Sequence, residues 1–98
     1  MQHGGLAVIE RGEAAVDRIA VDIEAYVRTR FQVPPSDTVL SRSCDLFEEG
    51  YVDSTGLVEL IAHVEKTYDV RLPEEALFDP SFSHIDGIAR VVAALLAP

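Results

Sequence analysis

The chemistry of this chain is most concentrated around Ser54. An acidic stretch, Asp45-Leu46-Phe47-Glu48-Glu49-Gly50-Tyr51-Val52, leads into Asp53-Ser54, and an apolar pattern of helical period begins directly after it. A hydroxyl at the mouth of a helix meets unpaired backbone N–H groups and the positive end of the helix dipole. A phosphate ester formed there would lie at a ready anion site. The same place is also where Ser and Asp most often serve as plain helix caps, a role open to either Asp53 or Ser54. The surroundings favour more than a cap. Asp45, Glu48, Glu49, Asp53, Glu59 and Glu65 fall between positions 45 and 65, and no Lys or Arg falls among them. Val58 and Ala62 sit off the buried stripe of the helix and add apolar contact to this one-sign surface. Charge steers an encounter and apolar contact holds it, a combination suited to transient docking of a partner with a basic patch.

Other chemistries lack their residues. His3, His63 and His84 share no paired ligand spacing, and the acidic stretch has no calcium-loop pattern, so no dedicated metal site is expected. Ser54, His63 and Asp53 are the right types for a hydrolase triad. His63, however, lies nine residues further along the same helix, a rise of roughly 13 Å, beyond hydrogen-bond reach of the serine. His63 is read as an exposed helix residue. Neither Gly-x-Gly-x-x-Gly nor Gly-x-x-x-x-Gly-Lys occurs. Cys44 is the only cysteine, which leaves no partner for an internal disulfide and fits a reducing compartment.

The elements that must position Ser54 fit one small domain. The chain has 98 residues, 48% of them apolar, which is enough for a single core. Its 17 acidic and 8 basic residues give a formal net charge of −9, which disfavours nucleic acid and anionic membranes as partners. No apolar run approaches bilayer length and no secretory leader is recognisable, so the expected location is the cytoplasm. Residues 1–10 read as a flexible lead-in and 11–98 as one domain. A first helix is predicted from about Gly12 to Phe31 on the stripe Val16, Ile19, Ile23, Tyr26 and Val27, ending before Val33-Pro34-Pro35. Residues 32–53 form a long connection that Val39, Leu40, Leu46 and Phe47 should pin to the core. A second helix, about Ser54 to Tyr68, buries Leu57, Leu60, Ile61, Val64 and Tyr68. A short helix should start at Pro73-Glu74-Glu75. The last helix carries Ile85, Ile88, Val92, Leu95 and Leu96, with Ser83 and Asp86 as a capping box. The sum is all-α: three main helices, one short helix and a long ordered loop between helices 1 and 2, packed as a small bundle.

These residues resemble the acyl carrier protein family. The resemblance rests on Asp53-Ser54 opening the second helix, on Val58-Glu59-Leu60 and Glu65 beyond it, and on the loop ending Leu46-Phe47-Glu48-Glu49-Gly50-Tyr51-Val52. It covers roughly Val16 to Leu96. It implies a four-helix bundle of acyl-carrier type, not an enzyme, with 4′-phosphopantetheine attached to Ser54 beside Asp53 by a separate magnesium-dependent transferase. The arm would carry acyl or aminoacyl groups as thioesters for polyketide, nonribosomal peptide or fatty-acid biosynthesis. Helix 2 would be the recognition face, with Glu48, Glu49, Thr55, Val58, Glu59, Ala62 and Glu65 meeting a phosphopantetheinyl transferase, a loading ligase and condensing or transferring enzymes. The chain would act as a monomer. Thr55 stands where the family usually has leucine, Gly56 and Lys66 stand where acids are common, and the Gly-Gly-His-Ser pattern of peptidyl carriers is absent. These departures suggest a free-standing, specialised carrier. A D-alanyl or other aminoacyl carrier, or a helical interaction module without a prosthetic group, are the alternatives.

Overall fold

The computed structural model describes the backbone of residues 2–97 and the side chains of residues 14–97. Four helices follow one another: α1 (Gln2–Arg30), α2 (Ser54–Tyr68), α3 (Glu74–Leu77) and α4 (Ile85–Leu96), with a 3₁₀ turn at Pro80–Ser83 before α4. No strand occurs among the described residues. This is the small helical bundle that the apolar stripes predict.

α1 begins at Gln2, well before the predicted start at Gly12. Leu, Ala and Glu are strong helix formers and no proline interrupts residues 2–30, so the backbone continues through the segment read as a lead-in. The packing of Leu6, Val8 and Ile9 lies outside the described residues. At the other end, Gln32 takes a left-handed conformation (φ 57°), and the Val33 N–H donates to the Arg28 carbonyl at 2.9 Å. This αL closure stops the helix at Arg30, four residues before Pro34.

Ile19, Ala20, Ile23 and Val27 of α1 are buried with Leu60 and Val64 of α2 and Ile85, Ile88, Ala89 and Val92 of α4. The long connection belongs to the same core: Val33, Leu40, Leu46 and Val52 are each at most 8% exposed. Two of the four predicted anchors hold, Leu40 and Leu46. Val39 and Phe47 point outward instead, at 56% and 39% exposure. Leu95 and Leu96 also end up exposed, because α4 runs past the core there.

Polar side chains set the path of the connection. Arg28 donates to the carbonyls of Pro34, Asp37 and Leu40 at 3.2–3.4 Å while pairing with Glu24. Asp37 accepts from the Val39 and Leu40 N–H groups and, through both carboxylate oxygens, from the Tyr51 hydroxyl at 2.9 Å. Arg42 reaches Asp17 on α1 at 2.7 Å and Asp86 on α4 at 3.2 Å. These contacts tie the loop to both flanking helices.

The predicted capping box at Ser83 does not form. The N-cap of α4 is His84, which makes no side-chain cap bond, and the Asp86 N–H donates to the Arg42 carbonyl at 2.9 Å. The loop caps the helix, and the Ser83 hydroxyl turns to the Asp45 carboxylate and the Pro80 carbonyl, both at 3.0 Å. Gly87 lets the 3₁₀ turn lie against the first turn of α4, since a Cβ there would lie 1.9 Å from the Ser81 carbonyl oxygen.

If the loop is part of the core, Leu46→Ala should behave as a core truncation, costing about 2–5 kcal/mol in chemical denaturation. A loss below half a kcal/mol would show Leu46 to be a surface residue. Burial, followed by the hydrogen bond and charge of Asp37, pushes the Tyr51 phenol up from 10.0 to about 12. A raised pKa means that Tyr51 contributes stability fully present below its ordinary value and lost as pH climbs towards the folded one. Phenolate absorbance, taken as the difference between the native chain and Tyr51→Phe, should rise above pH 10.0 and near 12. Asp37→Asn should lower that midpoint only in part, because burial is the larger cause.

Candidate functional site

Asp53, not Ser54, caps α2. Asp53 holds an extended backbone (φ −101°, ψ −172°), its Oδ1 accepts from the Gly56 N–H at 2.8 Å, and its carbonyl accepts from the Leu57 N–H at 2.9 Å. Ser54 is therefore the first helical residue, and it is exposed. Its hydroxyl has no hydrogen-bond partner among the described residues. The N–H groups of Ser54 and Thr55 lie in the first turn, where helix geometry gives them no intrahelical acceptor. An oxyanion on the Ser54 oxygen would meet them and the positive end of the dipole.

Gly56 is buried, facing inward rather than opening the surface around the serine. A Cβ on Gly56 would lie 2.9 Å from Phe31 Cε1 and 3.2 Å from Val52 Cγ1. The missing side chain lets the Phe31 ring, just past the end of α1, lie against the first turn of α2. The Phe31 ring also meets Tyr26 edge-on at 6.4 Å and has the Arg30 guanidinium 5.6 Å from its centroid.

The residues before Asp53 form a tight turn. The Asp45 carboxylate accepts from the N–H groups of Phe47 and Glu48 and from the Ser83 hydroxyl, and these bonds, with the Glu48 N–H foremost, hold its pKa below the ordinary value. The Leu46 carbonyl accepts from the N–H groups of Tyr51 and Val52, and Gly50 supplies the left-handed bend at φ 82°. A groove of about 430 Å³ is lined by Phe31, by Phe47, Gly50, Tyr51 and Val52 of the turn, and by Asp53 and Ser54. Sequence reasoning had no means of finding Phe31 as part of this site, because its place follows from how α1 meets α2 and not from any local pattern.

The acidic stretch has divided its labour. Asp45 and Asp53 serve the backbone, and the Glu65 carboxylate accepts from the Leu72 N–H at 2.8 Å. Glu59 Oε1 lies 2.6 Å from Arg30 Nη2 and is shut off from water, though the guanidinium sits off the hydrogen-bond axis, so the contact is ionic. Arg30 thus enters a surface that reads as one-sign along the chain. Glu48 and Glu49 remain exposed, as do Thr55, Val58 (66%) and Ala62.

His63 corrects its reading as an exposed residue. Its ring stacks on Tyr26 with centroids 3.8 Å apart and planes 12° from parallel, and burial lowers its pKa against the opposing pull of Asp22. His84 contacts the Ser83 hydroxyl, and among the described residues no histidine hydrogen-bonds to Ser54. Among the described residues no cluster of three or more His, Cys, Asp or Glu could hold a metal ion, and no helix is long and apolar enough to cross a membrane.

Residues 21–92 match the family described as the phosphopantetheine attachment site. No curated protein and no solved structure matches the chain. An exposed serine hydroxyl at an open helix N-terminus, with a groove beside it, fits such a group. The match spans the end of α1, the whole connection, α2, α3 and most of α4, and on it the chain belongs to the phosphopantetheine-binding carrier family, whose members hold 4′-phosphopantetheine covalently.

Proposed function

We propose that Ser54 is the attachment residue and that the chain carries acyl or aminoacyl groups between soluble biosynthetic enzymes of the cytoplasm. The observation that supports this most is the division of roles at the start of α2: Asp53 caps the helix, and the Ser54 hydroxyl, exposed and unbonded, is left for chemistry. In the loading step a separate transferase forms a bond from Ser54 Oγ to the phosphorus of the pantetheine phosphate. The pyrophosphate P–O bond of coenzyme A breaks, adenosine bisphosphate leaves, and the hydroxyl proton passes to the transferase. The Ser54 and Thr55 N–H groups and the helix dipole then favour the resulting phosphodiester. Once bound, the arm supplies a thiol that holds cargo as a thioester; the chain itself supplies position and recognition and breaks no bond.

Partner enzymes with basic patches, among them the transferase, a loading ligase and condensing enzymes, would meet Glu48, Glu49, Thr55, Val58 and Ala62 as a monomer's docking face. Glu59 would join with its charge offset by Arg30, and Glu65 with one oxygen already held by the Leu72 N–H. Thr55 presents a small polar surface beside the serine, which suits a specialised set of partners in polyketide, peptide or modified fatty-acid assembly.

Incubation with coenzyme A, magnesium and a broad-specificity transferase should add one phosphopantetheinyl group, read by intact mass. Ser54→Ala should abolish the gain, and a gain that persists in this variant would move the site elsewhere. Wild-type chain that stays unmodified beside a loaded control would defeat the carrier reading. Ser54→Asp should remain folded, because Asp53 still caps the helix, yet take up no group.

Docking led by exposed acids should weaken as salt rises, since the screening length falls to about 3 Å near 1 M. Glu48→Gln with Glu49→Gln should lower affinity for the transferase at low salt while changing stability by about half a kcal/mol or less. Affinity indifferent to both changes would remove these glutamates from the docking face.

A further inference from the structure

We propose that the groove between Phe31 and the Phe47–Val52 turn is a resting seat for the near end of the phosphopantetheine arm. In it, the arm's branched dimethyl unit lies against the Phe31 and Phe47 rings. The proposal rests on Ser54 being the attachment residue and adds where the arm goes from there.

Continuity is the first reason. Ser54 lines the groove, so a group esterified to its oxygen starts beside the groove. The phosphate stays with the first-turn N–H groups of α2, and one methylene further out an uncharged carbon bearing two methyl groups meets the groove wall. That wall is apolar where it needs to be. Phe47 is 39% exposed, and Phe31 and Tyr51 are half-buried, leaving ring surface uncovered. Apolar surface of this kind gains from being covered by methyl groups. The volume, about 430 Å³, lies within the range of small-molecule sites.

Charge narrows the occupant. The lining holds one carboxylate, Asp53, and no cationic side chain, so it suits an uncharged segment better than an anionic one. The second groove on α2 is different: Glu65, Lys66, Asp69 and Arg71 line it together with Ala62 and Val70. It also begins eight residues beyond Ser54, roughly 12 Å along the helix, out of reach of the arm's first carbons.

The seat is built before the arm arrives. Phe31 is placed by Gly56, Tyr51 is held to Asp37 by two 2.9 Å contacts, and the turn carrying Phe47 is fixed by the Asp45 carboxylate. Groups already held in place lose little freedom on contact with a ligand. The seat would shelter the arm between encounters and release it when a partner competes for it.

The test is nuclear magnetic resonance on the holo-chain, with attachment verified beforehand by mass. The arm's two methyl signals should shift upfield from their positions in free coenzyme A, and should show Overhauser contacts to the Phe31 and Phe47 rings. Phe47→Ala, at an exposed position, should fold and, once brought to full holo mass, lose part of the upfield shift. Gly56→Ala, whose new methyl displaces Phe31, should load and lose the Phe31 contacts. Methyl signals at their free positions in a chain of verified holo mass would overturn the seat and leave the attachment reading intact. So would contacts to Ala62 and Val70 in place of the rings. A chain that takes up no arm would overturn the attachment reading, and the seat with it.

Discussion

The hydrogen bond from the Gly56 N–H to the Asp53 carboxylate, 2.8 Å long, fixes where α2 begins. Everything at the site is referred to that point. With the helix starting at Ser54, the serine side chain faces solvent, while Gly56, two positions on, faces the interior. A start one residue later would rotate the helical positions by roughly 100° and turn the serine away from its present face. The cap therefore sets an orientation as well as ending a helix, and it frees the neighbouring hydroxyl from the role that serines at helix starts usually fill.

The cap in turn depends on a loop that behaves as core. Val52, one residue before Asp53, is 4% exposed, and Leu46, which organises the turn leading there, is 1% exposed. A connection of this length would be costly to order by chain entropy alone. Buried apolar anchors offset that cost, and charge-assisted bonds from Arg28, Asp37, Arg42 and Asp45 choose one path among the collapsed ones. Asp37 and Asp45 both have lowered pKa values, Asp37 mainly through the Tyr51 hydroxyl and Asp45 mainly through the Glu48 N–H. Their stabilising effect is present above the ordinary carboxylate value and fades as pH falls through the folded one.

Periodicity made the helices legible, and the apolar stripes of α1 and α2 are the ones the core uses. The serine at the mouth of α2 was legible because the change from irregular to helical pattern there coincides with a capping residue, Asp53. What could not be read was anything decided between elements. Ser83 and Asp86 have the spacing of a capping box, yet the Arg42 carbonyl and side chain from the loop take over their partners. His63 looks exposed on a helical wheel, and only the approach of Tyr26 covers it. Gly56 looks like room left open around the serine, and it is in fact room taken by Phe31. Each difference has the same origin: a local preference worth about 1 kcal/mol yields to a tertiary contact of similar or greater worth.

The same competition bears on the proposed recognition surface. An acid that accepts a backbone N–H in its own fold keeps its charge but has fewer free acceptor sites and less freedom to turn towards a partner, and pulling it away would cost the fold that bond. Asp45, Asp53 and Glu65 are committed in this way, and Glu59 shares its charge with Arg30. The acids without such duties, Glu48 and Glu49, stand on the turn that also carries Phe47, on the approach to Ser54. A partner drawn by charge would thus arrive first at the loop side of the serine rather than along the length of α2. There it would meet the uncovered ring of Phe47 and the groove, so that electrostatic approach and apolar contact fall at the same place. On the proposed reading, the steering charge, the apolar hold and the attachment hydroxyl would be gathered within the residues from Phe47 to Ser54, a turn whose geometry the buried half of the loop maintains.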